Sequence, residues 1–245
     1  MTIDLNCDVG EGGAWDAELM ALITSANIAC GSHAGSPATM AETVALAHRC
    51  GVRIGAHPGF EDRPHFGRRE LTLPGQELRD LVVGQIQALQ KLSTVAYVKP
   101  HGGLYTLAAR DRPTADVIVE AMRSVDPGLA LCGLAGSELV RAGRAHGLTV
   151  IEEVFADRTY QADGSLTPRS EVGATIEDEE AAVEQVFRMI EYEVVLATDG
   201  SEVRVRPDTV CVHGDSPLAV AFARRLRREF RERGVEVKAT KGATP

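Results

Sequence analysis

Residues able to do chemistry recur in this chain directly after short apolar runs. The plainest case is Val95-Ala96-Tyr97-Val98, followed by Lys99, Pro100 and His101. The four leading residues are β-branched or aromatic in part and too few for a helix, so they read as a buried strand. Proline cannot donate to a sheet ladder, so the strand ends there, and Gly102-Gly103 suggests a tight loop. A cation and an imidazole thus stand at the C-terminal end of a strand, the edge at which parallel α/β folds bind ligands. The same layout returns with Asp8, His33, His57 and His213 at four other strand ends, and with Arg158 after a sixth. His48 and His146 lack that placement and read as structural or exposed; His65 sits in a loop and stays unassigned.

Two chemistries suit this set. One Asp and two His can hold a divalent metal on one face, and Asp8, His57 and His101 are the natural trio. Such a metal lowers the pKa of bound water and polarises a carbonyl. The alternative is metal-free acid–base catalysis by histidine beside a carboxylate, with Lys99 or Arg158 holding an anionic substrate or a developing oxyanion. The residues alone leave both open. Phosphate-loop, nucleophile-elbow and dinucleotide fingerprints are absent from the sequence.

The elements that must position these residues alternate. A strand over Thr2–Cys7 is followed by an apolar stretch from Leu19 to Cys30. Ser36-Pro37 opens a helix with Met40, Val44 and Ala47 inward, and Gly51 closes it. Val52–Ala56 is a third strand. Leu78, Val82, Gln85, Leu89 and Leu92 mark the next helix. Asp111-Arg112-Pro113 opens another, Leu129–Cys132 is a strand, and Ser137 caps a helix that stops at Gly147. Leu148–Phe155 is the sixth strand and Glu177–Ile190 a helix. The alternation of Tyr192–Arg206 about Asp199-Gly200 predicts a small peripheral hairpin. Thr209–Val212 is the seventh strand, and a helix from Pro217 to about Arg233 carries an arginine-rich face, most simply solvated. Seven strands separated by helices imply right-handed crossovers and a parallel sheet, either a closed barrel or a doubly wound sheet. Residues 1–240 form one domain on this reading, with 241–245 a frayed tail.

The chain has 245 residues, 44% hydrophobic and 25% charged, enough for one full core. Its net charge of -9 and 4% aromatics argue against nucleic acid as the main partner. Five scattered cysteines with no Cys-x-x-Cys pair read as small buried residues in a reducing compartment. No charged-then-apolar leader or membrane-length apolar run is present, so a cytoplasmic location is expected.

Longer words carry a resemblance. Leu5-Asn6-Cys7-Asp8-Val9-Gly10-Glu11, Thr24-Ser25-Ala26-Asn27-Ile28-Ala29-Cys30-Gly31, Gly55-Ala56-His57-Pro58-Gly59, Lys99-Pro100-His101-Gly102, Glu153-Val154-Phe155-Ala156-Asp157-Arg158 and Cys211-Val212-His213-Gly214-Asp215 resemble, in order, the LamB/YcsF family. Ser32, His65 and Gly103 depart from its usual aromatic, glycine and alanine. The family comprises A subunits of bacterial ATP-dependent 5-oxoprolinases. The resemblance implies a distorted seven-stranded parallel β/α barrel of the glycoside hydrolase/deacetylase type. It also implies ATP-driven hydrolysis of 5-oxo-L-proline to L-glutamate, with subunits B and C as partners and nucleotide bound with their help. Catalytic roles are expected for Asp8, His57, His101 and Lys99, and substrate binding for Asn6, His33, Arg158 and His213. A divalent metal on Asp8, His57 and His101 fits the superfamily, and assembly of several copies is compatible with it. Two other readings remain: a metal-dependent deacetylase of N-acetylated sugars, and a non-catalytic carbohydrate-binding or assembly subunit.

Overall fold

The computed structural model describes residues 1–212 and 219–242. His213 and residues 243–245 therefore lie outside the described residues. Seven parallel strands, β1 (Thr2–Val9), β2 (Ser25–Ala29), β3 (Arg53–His57), β4 (Tyr97–Val98), β5 (Ala130–Leu134), β6 (Val150–Phe155) and β9 (Thr209–Val212), pair in that order. β9 pairs back onto β1, Leu5 opposite Val210 and Cys7 opposite Val212, which closes the barrel. Of the two architectures the alternation allows, the closed barrel is the one formed.

Helices α1 (Asp16–Met20), α2 (Pro37–Cys50), α3 (Gly75–Gln90), α4 (Gly102–Arg110), α5 (Arg112–Val125), α6 (Glu138–Ala145), α7 (Glu179–Tyr192) and α8 (Ala219–Glu232) cover the outside. The two strands β7 (Val194–Leu196) and β8 (Glu202–Arg204) pair antiparallel about Asp199-Gly200, as expected of the hairpin. Ser36, Asp111, Ser137 and Asp178 each cap a helix by accepting a backbone N–H, three of them at boundaries expected from sequence.

Alternation along each strand sorts the residues into two layers. From β1, Ile3, Leu5, Cys7 and Val9 join the apolar core with Val44, Val82, Ile118, Val186 and Phe230 of the helices. The other face of β1 carries Asp4, Asn6 and Asp8, all buried inside the barrel. A barrel of this size fills its interior with side chains, and here that filling is mostly polar. Gly55 makes room for it: a Cβ there would meet the Tyr97 ring at 2.3 Å, so glycine lets the phenol lie across the interior.

The structure corrects four expectations. The stretch from Leu19 to Cys30 is not uniform, because α1 precedes β2. Gly102-Gly103 starts α4 at once, and a Cβ at Gly103 would meet the Arg69 carbonyl at 2.2 Å, so glycine is required where the backbones touch. Cys50 is exposed; the other four cysteines are buried. A short strand β10 (Glu236–Val237), unmarked by any local signal, pairs with Thr2 and Ile3. Beyond it, Arg53 holds the Thr240 carbonyl, and a Cβ at Gly242 would meet the Val150 carbonyl at 2.6 Å.

Candidate active site

Inside the barrel, Lys99 is the hub. Its Nζ lies 2.9 Å from Asp8 Oδ1 and 2.8 Å from Glu153 Oε1, with Asn6 Oδ1 at 3.4 Å and Cys211 Sγ at 3.2 Å. Burial opposes its charge, but Asp8, Cys211 and Glu153 outweigh that and raise its pKa well above the usual value. Its donors are spent on the protein, so Lys99 fixes Asp8 rather than reaching outward. Tyr105 donates to the second oxygen of Glu153 at 2.7 Å. Asn27 donates to Asn6 and to Asp8, both at 2.7 Å, and accepts from Tyr97. Asn6 in turn donates to Thr209, which places it within this network.

Above Lys99 the strand ends bring three histidines together. His57 Nδ1 is 2.8 Å from the Lys99 carbonyl and His101 Nε2 is 2.8 Å from the Phe66 carbonyl. Carbonyls only accept, so those two nitrogens carry the protons. Phe66 is in the left-handed region, φ 55°, a strained setting that aims its carbonyl at His101. The remaining nitrogens, His57 Nε2 and His101 Nδ1, face each other at 2.9 Å. Around them stand Asp8 Oδ2, 3.3 Å from His57 Nε2, and Glu11 Oε1, 3.4 Å from His101 Nδ1 and 3.9 Å from His57 Nε2. His33 Nε2 is 3.0 Å from the same Glu11 oxygen, and its ring stacks on His101 at 3.7 Å. Gly67 permits the stack, since a Cβ there would lie 2.6 Å from the Cβ of His33.

Acceptors facing one another require something positive between them. A proton on His57 supplies it: burial opposes the charge, but Asp8 beside the ring outweighs that and raises its pKa. Burial, then the charges of His57 and His33, hold His101 well below the usual imidazole value, and burial lowers His33 too. A metal ion supplies it equally well. Ligand atoms of Glu11, His33, His57 and His101 lie within 4.8 Å of one another. His33 Nδ1 is buried without a hydrogen-bond partner. Neutral imidazoles with a carboxylate suit a divalent transition ion, so the residues fit such a group.

The cluster forms the inner end of a cavity of about 820 Å³. Its outer wall comes from α4, the turn before α6 and the loop after β6, and includes Arg158, Arg169 and Ser137. Arg158 is buried, donating to the Ala174 and Thr167 carbonyls. It makes no ion pair with a carboxylate among the described residues. Burial, then the charge of Arg169, pushes its pKa down to about 10.

Asp8, His57, His101 and Lys99, one set by their place at strand ends, meet here, with Arg158 across the cavity; His33 is buried behind His101 and is absent from the cavity lining. Asn6 is bound within the barrel wall and is absent from the cavity lining. Within the group of closely spaced ligand atoms, Glu11 and His33 stand beside His57 and His101, while Asp8 is engaged by Lys99 and Asn27. Sequence reasoning misses Glu11, Glu153 and Asn27. Strand alternation through Ile151, Glu153 and Phe155 is the signal available for Glu153. His48 bonds Ser93, His146 bonds Asp116, and His65 bonds Asp62, which Arg69 also holds.

A closed parallel barrel of seven strands wrapped in helices has the fold of the deacetylase-like β/α barrels. The family 4 carbohydrate esterase of Streptomyces lividans superposes with a TM-score of 0.51 at 12% identity, over 100% of this chain and 97% of that one, a likeness of fold alone. Within that class the chain belongs to the LamB/YcsF family, whose model matches residues 3–244. It is 50% identical over 247 residues to the A subunit of 5-oxoprolinase from Bacillus subtilis (strain 168), covering 97% of this chain and 96% of the relative. The lactam utilization protein of Thermus thermophilus superposes with a TM-score of 0.90 at 44% identity, over 98% of this chain and all of that one.

Proposed function

We propose that this chain is the ring-opening component of an ATP-dependent 5-oxoprolinase, acting in the cytoplasm with subunits B and C. The observation that carries the reading is the convergence of His57, His101, Asp8 and Glu11 at the inner end of a cavity whose outer wall holds the buried cation Arg158. The substrate, 5-oxo-L-proline, pairs a ring amide with a carboxylate, and the cavity offers proton-transfer groups for one and Arg158 for the other.

Ring amides resist water because nitrogen donates into the carbonyl. Transfer of the terminal phosphoryl group of ATP to the lactam oxygen removes that donation. Water then adds to the ring carbon. Expulsion of phosphate from the adduct only restores the lactam, whereas breaking the C–N bond, with a proton delivered to nitrogen, leaves an acyl phosphate. A second water converts this to L-glutamate and phosphate. His57, kept protonated by Asp8, is the donor to the ring nitrogen, and neutral His101 accepts a proton from the attacking water through Nδ1. Lys99 and Glu153 hold Asp8 in register. If a divalent ion were held by Glu11, His33, His57 and His101, it would polarise an oxygen or acidify water in place of proton transfer by the two imidazoles. The chain carries no phosphate-loop motif, so the nucleotide is assigned to the partner subunits.

Glutamate release from 5-oxoproline and ATP, measured for this chain alone, with subunits B and C, and after chelation, tests the reading. Glutamate is expected only from the complete set. Full turnover by the isolated chain would overturn the division of labour. Acetate release from N-acetylated sugars in place of glutamate would overturn the lactam assignment.

A further inference from the structure

Sequence alone makes the arginines of α8 a solvated face, and the structure gives that face a shape. Arg224, Arg227, Arg228 and Arg231 follow the i, i+3, i+4, i+7 spacing of one helical stripe. They line a groove of about 560 Å³ whose floor includes Leu22 and Val235. The other acidic and basic groups of the helix satisfy one another elsewhere: Arg225 pairs with Glu180 and Glu229, and Arg233 with Glu229. Arg228 reaches Glu229 and Glu232 only at 3.9 and 4.0 Å, and Arg224, Arg227 and Arg231 make no ion pair among the described residues. Glu236 is the one acidic side chain in the lining described. A concentrated basic groove on a chain of net charge -9 is a local reversal of the overall balance.

Its place in the fold matters as well. Leu22 lies just before β2, and Gly234 to Val237 lead into β10, which pairs with the first residues of β1. The groove therefore sits at the end of the barrel where strands begin, opposite the histidine cluster at their C-terminal ends. A protein bound there leaves the cavity mouth open.

We propose that this groove docks an acidic segment of a partner subunit, its carboxylates on the arginine stripe and its intervening apolar side chains on Leu22 and Val235. Guanidinium groups match carboxylates in two-pronged pairs, and the apolar floor suits a polypeptide better than a phosphodiester backbone. The inference rests on the reading of the chain as one component of a larger enzyme, and the test separates the two. Association of the chain with purified subunits B and C is followed by sedimentation velocity at low and high salt. Wild-type association is expected to weaken about tenfold or more as screening rises, since pairing at a rim is salt-sensitive. The triple variant R224E/R227E/R231E is expected to lose at least about tenfold at low salt, with an unchanged melting temperature, and the corresponding Arg→Lys triple to recover most of it. A control with the same change in net charge, R49E/K91E/R123E, is expected to associate normally. Equal association of wild type and the triple variant, or equal loss in the control, overturns the groove while leaving the functional reading intact. No association of the wild type with either partner overturns both. Arginine-dependent self-association, or binding of RNA in place of the two partners, overturns the proposed occupant.

Discussion

Asp4 and Asp8 stand on the same strand and the same inner face, four residues apart, and do different work. Asp4, at the lower end, accepts from the hydroxyls of Thr24, Ser25 and Thr209 at 2.6, 2.9 and 2.6 Å. No cation pairs with it among the described residues, and burial raises its pKa despite those hydrogen bonds. Asp8, at the upper end, is held by Lys99 and Asn27 and lies beside His57. The lower carboxylate ties three strands together. The upper one sets the charge of an imidazole that opens onto the cavity. Two carboxylates on one face of one strand thus differ through the groups that other strands bring to them.

Substitutions and titrations would break or sharpen that contrast. Asp8→Asn is expected to lower glutamate formation by the complete enzyme about 10²–10⁴-fold, because the proton on His57 is no longer supported; an unchanged rate would remove Asp8 from the chemistry. Lys99→Met leaves Asp8 and Glu153 buried without their cation and is expected to destabilise the fold by about 3–5 kcal/mol, read as a lower urea midpoint. Asp4→Asn keeps the shape but misplaces a donor among three hydroxyls, so a loss of about 1–3 kcal/mol is expected. Its activity at a temperature where it remains folded should stay near wild type, the opposite outcome to Asp8→Asn.

The smallest effect is a pH dependence of stability. His101 and His33 have folded pKa values below their unfolded ones, so their contribution is complete above about pH 6.5 and is lost as pH falls toward the folded values. His57 is shifted upward, so its contribution is present below about pH 6.5 and is lost as pH rises through its folded value. For the metal-free protein, stability due to this cluster therefore peaks between the two limbs. A melting-temperature profile in which His101→Gln steepens the acid limb, rather than flattening it, would contradict the assignment. Addition of a divalent ion to the chelated protein is expected to raise the melting temperature, and Glu11→Gln to reduce that rise.

The barrel is legible in the sequence because its signals are local. Apolar runs of strand length, Ser-Pro and Asp-x-Pro helix starts and the Asp-Gly hairpin each act within a few residues, and they locate most elements. Strand β10 has two residues and forms only because Thr2 and Ile3 offer an edge to it, so nothing nearby announces it. The start of α4 at Gly102 is hidden for a related reason: glycine reads as a loop, yet here it is required by the close approach of the Gly67 and Arg69 carbonyls.

Residue types and strand ends alone determined that Asp8, His57, Lys99 and His101 would share a rim, because parallel strands present their C-terminal ends together. Tertiary structure decided what each one does there. Lys99 looks available to a substrate and is instead consumed by Asp8 and Glu153, since a lone cation inside a barrel is stable only when carboxylates surround it. Glu11 joined His33, His57 and His101 because a loop turned its oxygen toward them, a matter of ångströms between segments far apart in the chain, which no local pattern encodes.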